Sequence, residues 1–224
     1  MIFLFQQVEM DTTEVSQSIF SILWQSGLLG IAILFVLLLL SIYALYIFIE
    51  RYMTIQRAAK VDEKFMQEIR RYVQNSEFQA AVRLCQTNDS PVARMVEKGL
   101  LRIGKPLRDI NTAIENTGNL ELFRLEKNLS RLATIAGAAP MIGFFGTVTG
   151  MIIAFYEMAT QENVTPDLLA GGIYQALLTT AFGLFIGILA FVGYNILVSY
   201  IDKVVFKMEA SSLEFMDLLQ EPAL

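Results

Sequence analysis

The chain of 224 residues contains no histidine and one cysteine, Cys85. Without histidine, neither a Ser/His/Asp nor a Cys/His catalytic set can be assembled, and metal centres built on Cys and His have no ligands. No catalytic residue, metal site or cofactor is therefore expected, and an enzyme is disfavoured. A lone cysteine makes no intrachain disulfide, so Cys85 reads as a small buried hydrophobe. The opening MIFLFQQVEMD lacks a positive n-region and a small-residue cleavage site, and is not read as a signal peptide. Charge is missing in blocks: residues 28–49, 132–156 and 172–201 contain no Asp, Glu, Lys or Arg. Lys and Arg are absent from all of 1–50 and 132–202.

What is present is apolar. Hydrophobic residues make up 54% of the chain and charged residues only 17%, with a mean hydropathy of +0.50. These values indicate an integral membrane protein. Each of the three charge-free blocks is long enough to span; residues 28–49 as a helix would measure about 33 Å against a hydrocarbon core of about 30 Å. Of the 17 basic residues, 15 fall between Arg51 and Arg131, and Lys203 and Lys207 follow the third block. Because basic residues stay on the cytoplasmic side of span ends, this predicts a multi-pass protein with its N terminus outside and its C terminus inside. The expected partition is an outer segment 1–27, span 28–49, cytoplasmic domain 50–131, span 132–156, outer loop 157–171, span 172–201 and cytoplasmic tail 202–224. The net charge of −5 is spread over both sides and does not suggest a nucleic-acid partner.

Within the outer segment, apolar and polar residues between Thr12 and Gly27 suit a short interfacial helix with Trp24 at the headgroup level. The first span is predicted to continue into the cytoplasm, with the helical pattern running through Ile55, Phe65, Ile69 and Tyr72 and Asn75–Ser76 stopping and restarting the chain. Phe78, Ala81, Val82 and Cys85 mark one short helix. Ser90 and Pro91 open another as N-cap and first helical residue, and Gly104-Lys105-Pro106 closes it. From Pro106 the periodic positions Ile110, Ile114, Leu122, Leu125, Leu129 and Leu132 predict a helix running unbroken into the second span, weakened only at Gly118 and kinked at Pro140. The tail repeats Ile201, Val204, Met208, Phe215 and Leu219 at helical spacing. The cytoplasmic pieces are amphipathic, so a helical bundle is expected, with its carboxylates on solvated faces.

The two later spans each carry a face of small residues. In the second these are Ala136, Pro140, Gly143, Thr147, Gly150 and Ala154; in the third, Gly172, Ala176, Thr180, Gly183, Gly187 and Ala190. Small faces in lipid mean close helix contact, and a simple hairpin would use one of each. Thr147 and Thr180 lie on these faces near mid-span, with Thr149 and Thr179 beside them. A hydroxyl can donate and accept, so it can line a water path or bond a carboxylic acid, but it cannot hold a proton charge near neutral pH. Alternatively each threonine bonds a carbonyl of its own helix. If protons move here, the titrating group must come from another subunit, or from Glu50, Glu157 or Tyr156 near the span ends. The spacing of GFFGTVTG at 143–150 fits no nucleotide loop.

The run APMIGFFGTVTGMIIAF at 139–155 closely resembles the second-span signature of the ExbB/TolQ/MotA proton-channel family, in its ExbB/TolQ branch. GIYQALLTTAFGLFIG at 172–187, followed by Tyr194 and Asn195, resembles the third-span signature. The resemblance implies an all-α integral membrane protein with three transmembrane helices and long cytoplasmic helical extensions. It implies assembly as a homo-oligomeric ring, a homo-pentamer, in the bacterial inner membrane. The ring would surround helices of an ExbD- or TolR-like single-span partner whose aspartate carries protons, and would drive a TonB- or TolA-like transducer. By motif position Thr147 and Thr180 would be pore-lining hydroxyls with Thr179 beside them, and Pro140, Gly143, Gly146, Gly150, Ala176, Gly183 and Gly187 the helix-packing signature. One departure concerns Gln175, where many members place a glutamate. The competing readings are a non-conducting membrane scaffold and a motility-type stator, although the flagellar branch has four spans where this chain shows three.

Overall fold

The computed structural model describes residues 28–59, 63–160 and 166–220. Among these the chain is entirely helix and turn: α1 Leu28–Ala59, α2 Glu63–Gln74, α3 Phe78–Thr87, α4 Pro91–Leu100, α5 Leu107–Glu126, α6 Leu129–Thr160 and α7 Pro166–Gln220. Three helical stretches, Leu29–Ala59, Leu107–Thr160 and Ala170–Gln220, are long and apolar enough to cross a membrane. The chain is therefore an all-α, multi-pass membrane protein. The interfacial helix expected between Thr12 and Gly27 lies outside the described residues. Both later helices outrun their charge-free blocks: α6 continues to Thr160 and α7 begins at Pro166. Backbone bonding carries a helix past the hydrocarbon edge wherever no breaker intervenes.

The chain divides into two compact units, Met1–Tyr46 with Leu132–Val192, and Ile47–Arg131 with Gly193–Leu224. In the first, α1 buries only a narrow stripe containing Ile33, Leu37 and Ala44, while Phe35, Leu38, Leu39 and Ile42 are exposed. In lipid that exposure carries no hydrophobic cost.

The second unit is a helical bundle around an apolar core that includes Ile69, Val92, Val96, Ile114 and Phe215. Ser90 caps α4, its hydroxyl accepting from the Ala93 amide at 3.2 Å, with Pro91 at the first helical position. Ser76 (φ 60°) makes the turn between α2 and α3, and Gly104 (φ 93°) ends the turn after α4. The end of α7 belongs to this core: Phe215 is fully buried and occupies the space a side chain on Gly99 would need, alongside Ile114. Lys207 donates to the Ala59 carbonyl at 3.1 Å, capping the C-terminal end of α1. Cys85 is buried; burial, helped by the nearby Glu97 charge, pushes its thiol up to about 12.

Two expectations are corrected here. The helix predicted to run unbroken from Pro106 into the second span stops at Glu126 and restarts at Leu129, because Lys127 (φ −51°, ψ 133°) leaves the helical region and Asn128 takes φ 67°. These dihedrals match the start of a type II turn, at about −60°, +120° and +80°. Nor do the carboxylates all sit on solvated faces. Glu121 is 3% exposed and bonds Arg94 and Arg124, at 2.6 Å each; Arg94 also pairs with Asp89. A buried carboxylate between two guanidiniums is tolerable because both of its oxygens are satisfied. Its position on the face of Ile114 and Leu125, seven residues before and four after, was the signal that could have revealed it.

Candidate functional site: a hydroxyl seam in a glycine-packed hairpin

Within the first unit, α6 and α7 lie antiparallel, and the two small faces read from the sequence meet residue against residue. Gly172 faces Ala154, Ala176 faces Gly150, Thr179 faces Gly146, Gly183 faces Gly143 and Gly187 faces Pro140. The approach is close enough that backbone touches backbone. A Cβ on Gly183 would stand 2.6 Å from the Ala139 carbonyl oxygen and 2.9 Å from Gly143 Cα. Glycine is required at these crossings for space, which is how small residues let helices associate in lipid.

Gly187 fills a particular gap. Pro140 has no amide hydrogen, so the Ala136 carbonyl four residues earlier loses its helical donor. A Cβ on Gly187 would lie 3.0 Å from that oxygen and 2.5 Å from Pro140 Cγ. The Gly187 Cα hydrogens therefore cover both the ring and the freed carbonyl.

Three hydroxyls sit at the centre of this packing. Thr180 donates to the Gly143 carbonyl across the seam at 3.0 Å. Thr147 reaches the Ala176 carbonyl at 3.1 Å, and the Thr147 and Thr180 hydroxyls bond each other. Thr179, 1% exposed, bonds Ala176 O at 2.8 Å and lies 3.3 Å from Gly143 O. Thr147 and Thr180 are half-buried.

Two proton arrangements satisfy the Thr147–Thr180 pair. Either Thr147 donates to Thr180, which donates to Gly143 O, or Thr180 donates to Thr147, which donates to Ala176 O. In both, every hydroxyl hydrogen is used while lone pairs remain on the hydroxyl at the head of the chain. The seam accepts a further hydrogen bond as it stands, and offers one only by turning a hydroxyl around.

Of the residues singled out by sequence, the structure thus brings together Thr147, Thr180 and Thr179 with Gly143, Gly146, Gly150, Ala176, Gly183, Gly187 and Pro140. Gln175 is half-buried and takes no part in the hydroxyl cluster. Thr149 bonds carbonyls of its own helix, Phe145 at 2.9 Å and Gly146 at 3.2 Å. Of the acids and phenols considered near the span ends, Glu50 is paired with Arg51, and Glu157 and Tyr156 are exposed on the last turns of α6. Among the described residues no group of three or more His, Cys, Asp or Glu side chains could hold a metal ion.

A charge-free helical hairpin with hydroxyls at its centre places the chain in the class of multi-pass membrane proteins. The family model described as the MotA/TolQ/ExbB proton channel family matches residues 87–210, more than half of the chain and all of α6 and α7 up to Ala210. The chain belongs to this family. The Tol-Pal system protein TolQ of Haemophilus influenzae is 39% identical over 119 residues, covering 53% of this chain and 47% of that protein. A putative biopolymer transport protein ExbB homolog of Methanothermobacter thermautotrophicus is 33% identical over 121 residues, covering 54% and 42%. Biopolymer transport protein ExbB of Neisseria meningitidis is 28% identical over 193 residues, covering 79% and 86%. Against the first two relatives, the chain spans less than half of their length.

Proposed function

We propose that this chain is the channel-forming subunit of a proton-motive-force-driven motor in the bacterial inner membrane, of the kind to which the TolQ and ExbB relatives belong. The seam of α6 and α7 would form part of a proton path. Five copies would surround an ExbD- or TolR-like single-span partner, and the motion would be passed to a TonB- or TolA-like transducer for outer-membrane transport or envelope maintenance. The N terminus and the 157–171 connection would face the periplasm, and residues 50–131 and 202–224 the cytoplasm.

The observation that carries this reading is the hydroxyl pair in a charge-free wall. Neither span contains an Asp, Glu, Lys, Arg or His, so in this reading the proton rides on a partner's carboxyl group. With its hydrogens committed and lone pairs free, the pair Thr147–Thr180 is suited to accept a hydrogen bond from the protonated carboxylic acid. The carboxylate form is received only after a hydroxyl turns. Gln175 would supply an amide, not an acid, to the same wall.

The test is proton flux in liposomes containing the chain with its partner. A hydrogen bond in lipid is worth about 1–2 kcal/mol, so Thr147→Val and Thr180→Val are expected to lower flux roughly five- to thirtyfold, with Thr→Ser retaining most of it. Unchanged flux in both valine variants would remove the hydroxyls from the path. A second reading, a non-conducting scaffold, is favoured by one observation: every seam hydroxyl already has a partner inside the hairpin. It predicts no flux from the wild-type complex although the partner stays bound.

A further inference from the structure

The break between α5 and α6 occurs in a sequence that does not call for one. Residues 107–132 contain no proline and one glycine, Gly118, and the connection itself is Lys127-Asn128. Lysine is a good helix former, and asparagine enters the left-handed region more readily than most residues without requiring it. The apolar repeat also runs straight through, with Leu125, Leu129 and Leu132 all buried. A continuous helix is therefore a close competitor of the observed turn.

What distinguishes the observed state is the way two neighbouring residues of α1 hold the turn from both sides. In a continuous helix the Asn128 amide would bond the Arg124 carbonyl, four residues earlier. With Lys127 extended that ladder is interrupted, and the Nη1 of Arg51 donates to Arg124 O instead, at 3.2 Å. Arg51 is only 5% exposed, and its charge is met by Glu50 through Nε at 3.0 Å and through Nη2. The Asn128 side chain lies within interaction reach of Glu50. A buried guanidinium thus stands where a backbone amide would be, and its counter-ion lies beside the residue in the left-handed conformation.

We propose that Glu50 and Arg51 form a latch that selects the broken form of the α5–α6 connection over a single continuous helix. Arg51 and Glu50 are positioning residues: they set how the first turn of α6 departs from α5, whatever the chain transports. The device has two defined states because Arg124 O can be satisfied by the Asn128 amide or by Arg51, but a helical Asn128 would withdraw its side chain from the arrangement that Glu50 recognises.

The experiment reads the backbone of Lys127 and Asn128 directly, through the carbon-13 chemical shifts of both residues in the full chain, isotope-labelled and reconstituted in nanodiscs. The parent is expected to show non-helical Cα and Cβ shifts at Lys127, in keeping with its ψ of 133°, and Arg51→Gln and Glu50→Ala to move both residues towards helical values. Adding Asn128→Gly to Arg51→Gln is expected to return Lys127 to the parent shifts, since glycine favours the left-handed residue on its own. Helical shifts at Lys127 in the parent would overturn the proposal. So would unchanged shifts in Arg51→Gln and Glu50→Ala while Asn128→Ala moves Lys127 to helical values, or a change that Asn128→Gly fails to reverse.

Discussion

Replacing Gly183 by alanine adds one methyl group where α6 and α7 are closest. The new Cβ would sit 2.6 Å from the Ala139 carbonyl oxygen, 2.9 Å from Gly143 Cα and 3.1 Å from Gly143 N. All three are backbone atoms of one helix, so no side chain can swing away. The helices must part by roughly 1 Å to restore ordinary contacts of about 3.5–4.0 Å. That shift carries Thr180 Oγ1–Gly143 O from 3.0 Å and Thr147 Oγ1–Ala176 O from 3.1 Å to the limit of hydrogen bonding. Overpacking costs about 1–3 kcal/mol, and two weakened interhelical bonds add about 0.6 kcal/mol each. Alanine returns about 1 kcal/mol through helix propensity, leaving a net loss of about 1–3 kcal/mol. Gly137, on α6, is the internal control, because a Cβ there meets nothing within 4 Å, so Gly137→Ala is expected to be neutral or stabilising. Denaturant titration of both variants in detergent, followed by circular dichroism, measures the difference. If Gly183→Ala were as stable as Gly137→Ala, the close approach would not be holding the hairpin, and the derived geometry of the hydroxyl seam would fall with it.

Two further predictions concern the other unit. Glu121→Leu leaves Arg94 with Asp89 alone and with its buried Nε still unpartnered. Complete removal of one partner of a buried pair costs about 3–5 kcal/mol; because Arg94 and Arg124 remain partly exposed, about 2 kcal/mol is expected in thermal melts. The double change Arg94→Leu with Glu121→Leu should cost less than the sum of the single changes. Cys85, with its thiol at about 12, should be thiolate in only about one chain in ten thousand at pH 8, against roughly one in ten at the ordinary value of 9.0 expected when unfolded. Maleimide labelling should therefore wait for denaturant, and fast labelling of the native chain would contradict its burial. Because the folded thiol titrates well above the ordinary value of 9.0, its contribution to stability is intact below about pH 9 and is lost as pH climbs towards 12.

The hairpin was legible in the sequence because lipid reduces recognition to shape. With little hydrophobic drive between helices, small residues at steps of three and four can only mean contact, and all five glycine crossings named above fall on those positions or next to them. The threonine pair was legible for the same reason, since Thr147 and Thr180 occupy that periodicity. Their choice of partners was not: Thr149 bonds its own helix while Thr147 bonds the neighbour, and the difference depends on which carbonyls the packing brings within reach. The α5–α6 break escaped the sequence entirely. It is held by Arg51, more than 70 residues earlier, and no local propensity records a guanidinium arriving from another helix. Glu121 was obscured by the assumption that charged residues of a helical bundle face water, although its spacing from Ile114 and Leu125 placed it on the inner face.

Thr147 has an acceptor on each side of the seam, the Gly143 carbonyl of its own helix at 3.4 Å and the Ala176 carbonyl of the other at 3.1 Å. During synthesis α6 leaves the ribosome before α7 exists, so for an interval its mid-bilayer hydroxyl has only its own backbone to bond. A back-bond to Gly143 lets the helix enter lipid without an orphaned polar group. When α7 follows, the hydroxyl can turn towards it with no intermediate state in which its hydrogen is unpaired. The side chain at the heart of the seam is thereby compatible with insertion one helix at a time, and the pairing of the two spans becomes a handover of one hydrogen bond rather than the rescue of a stranded one.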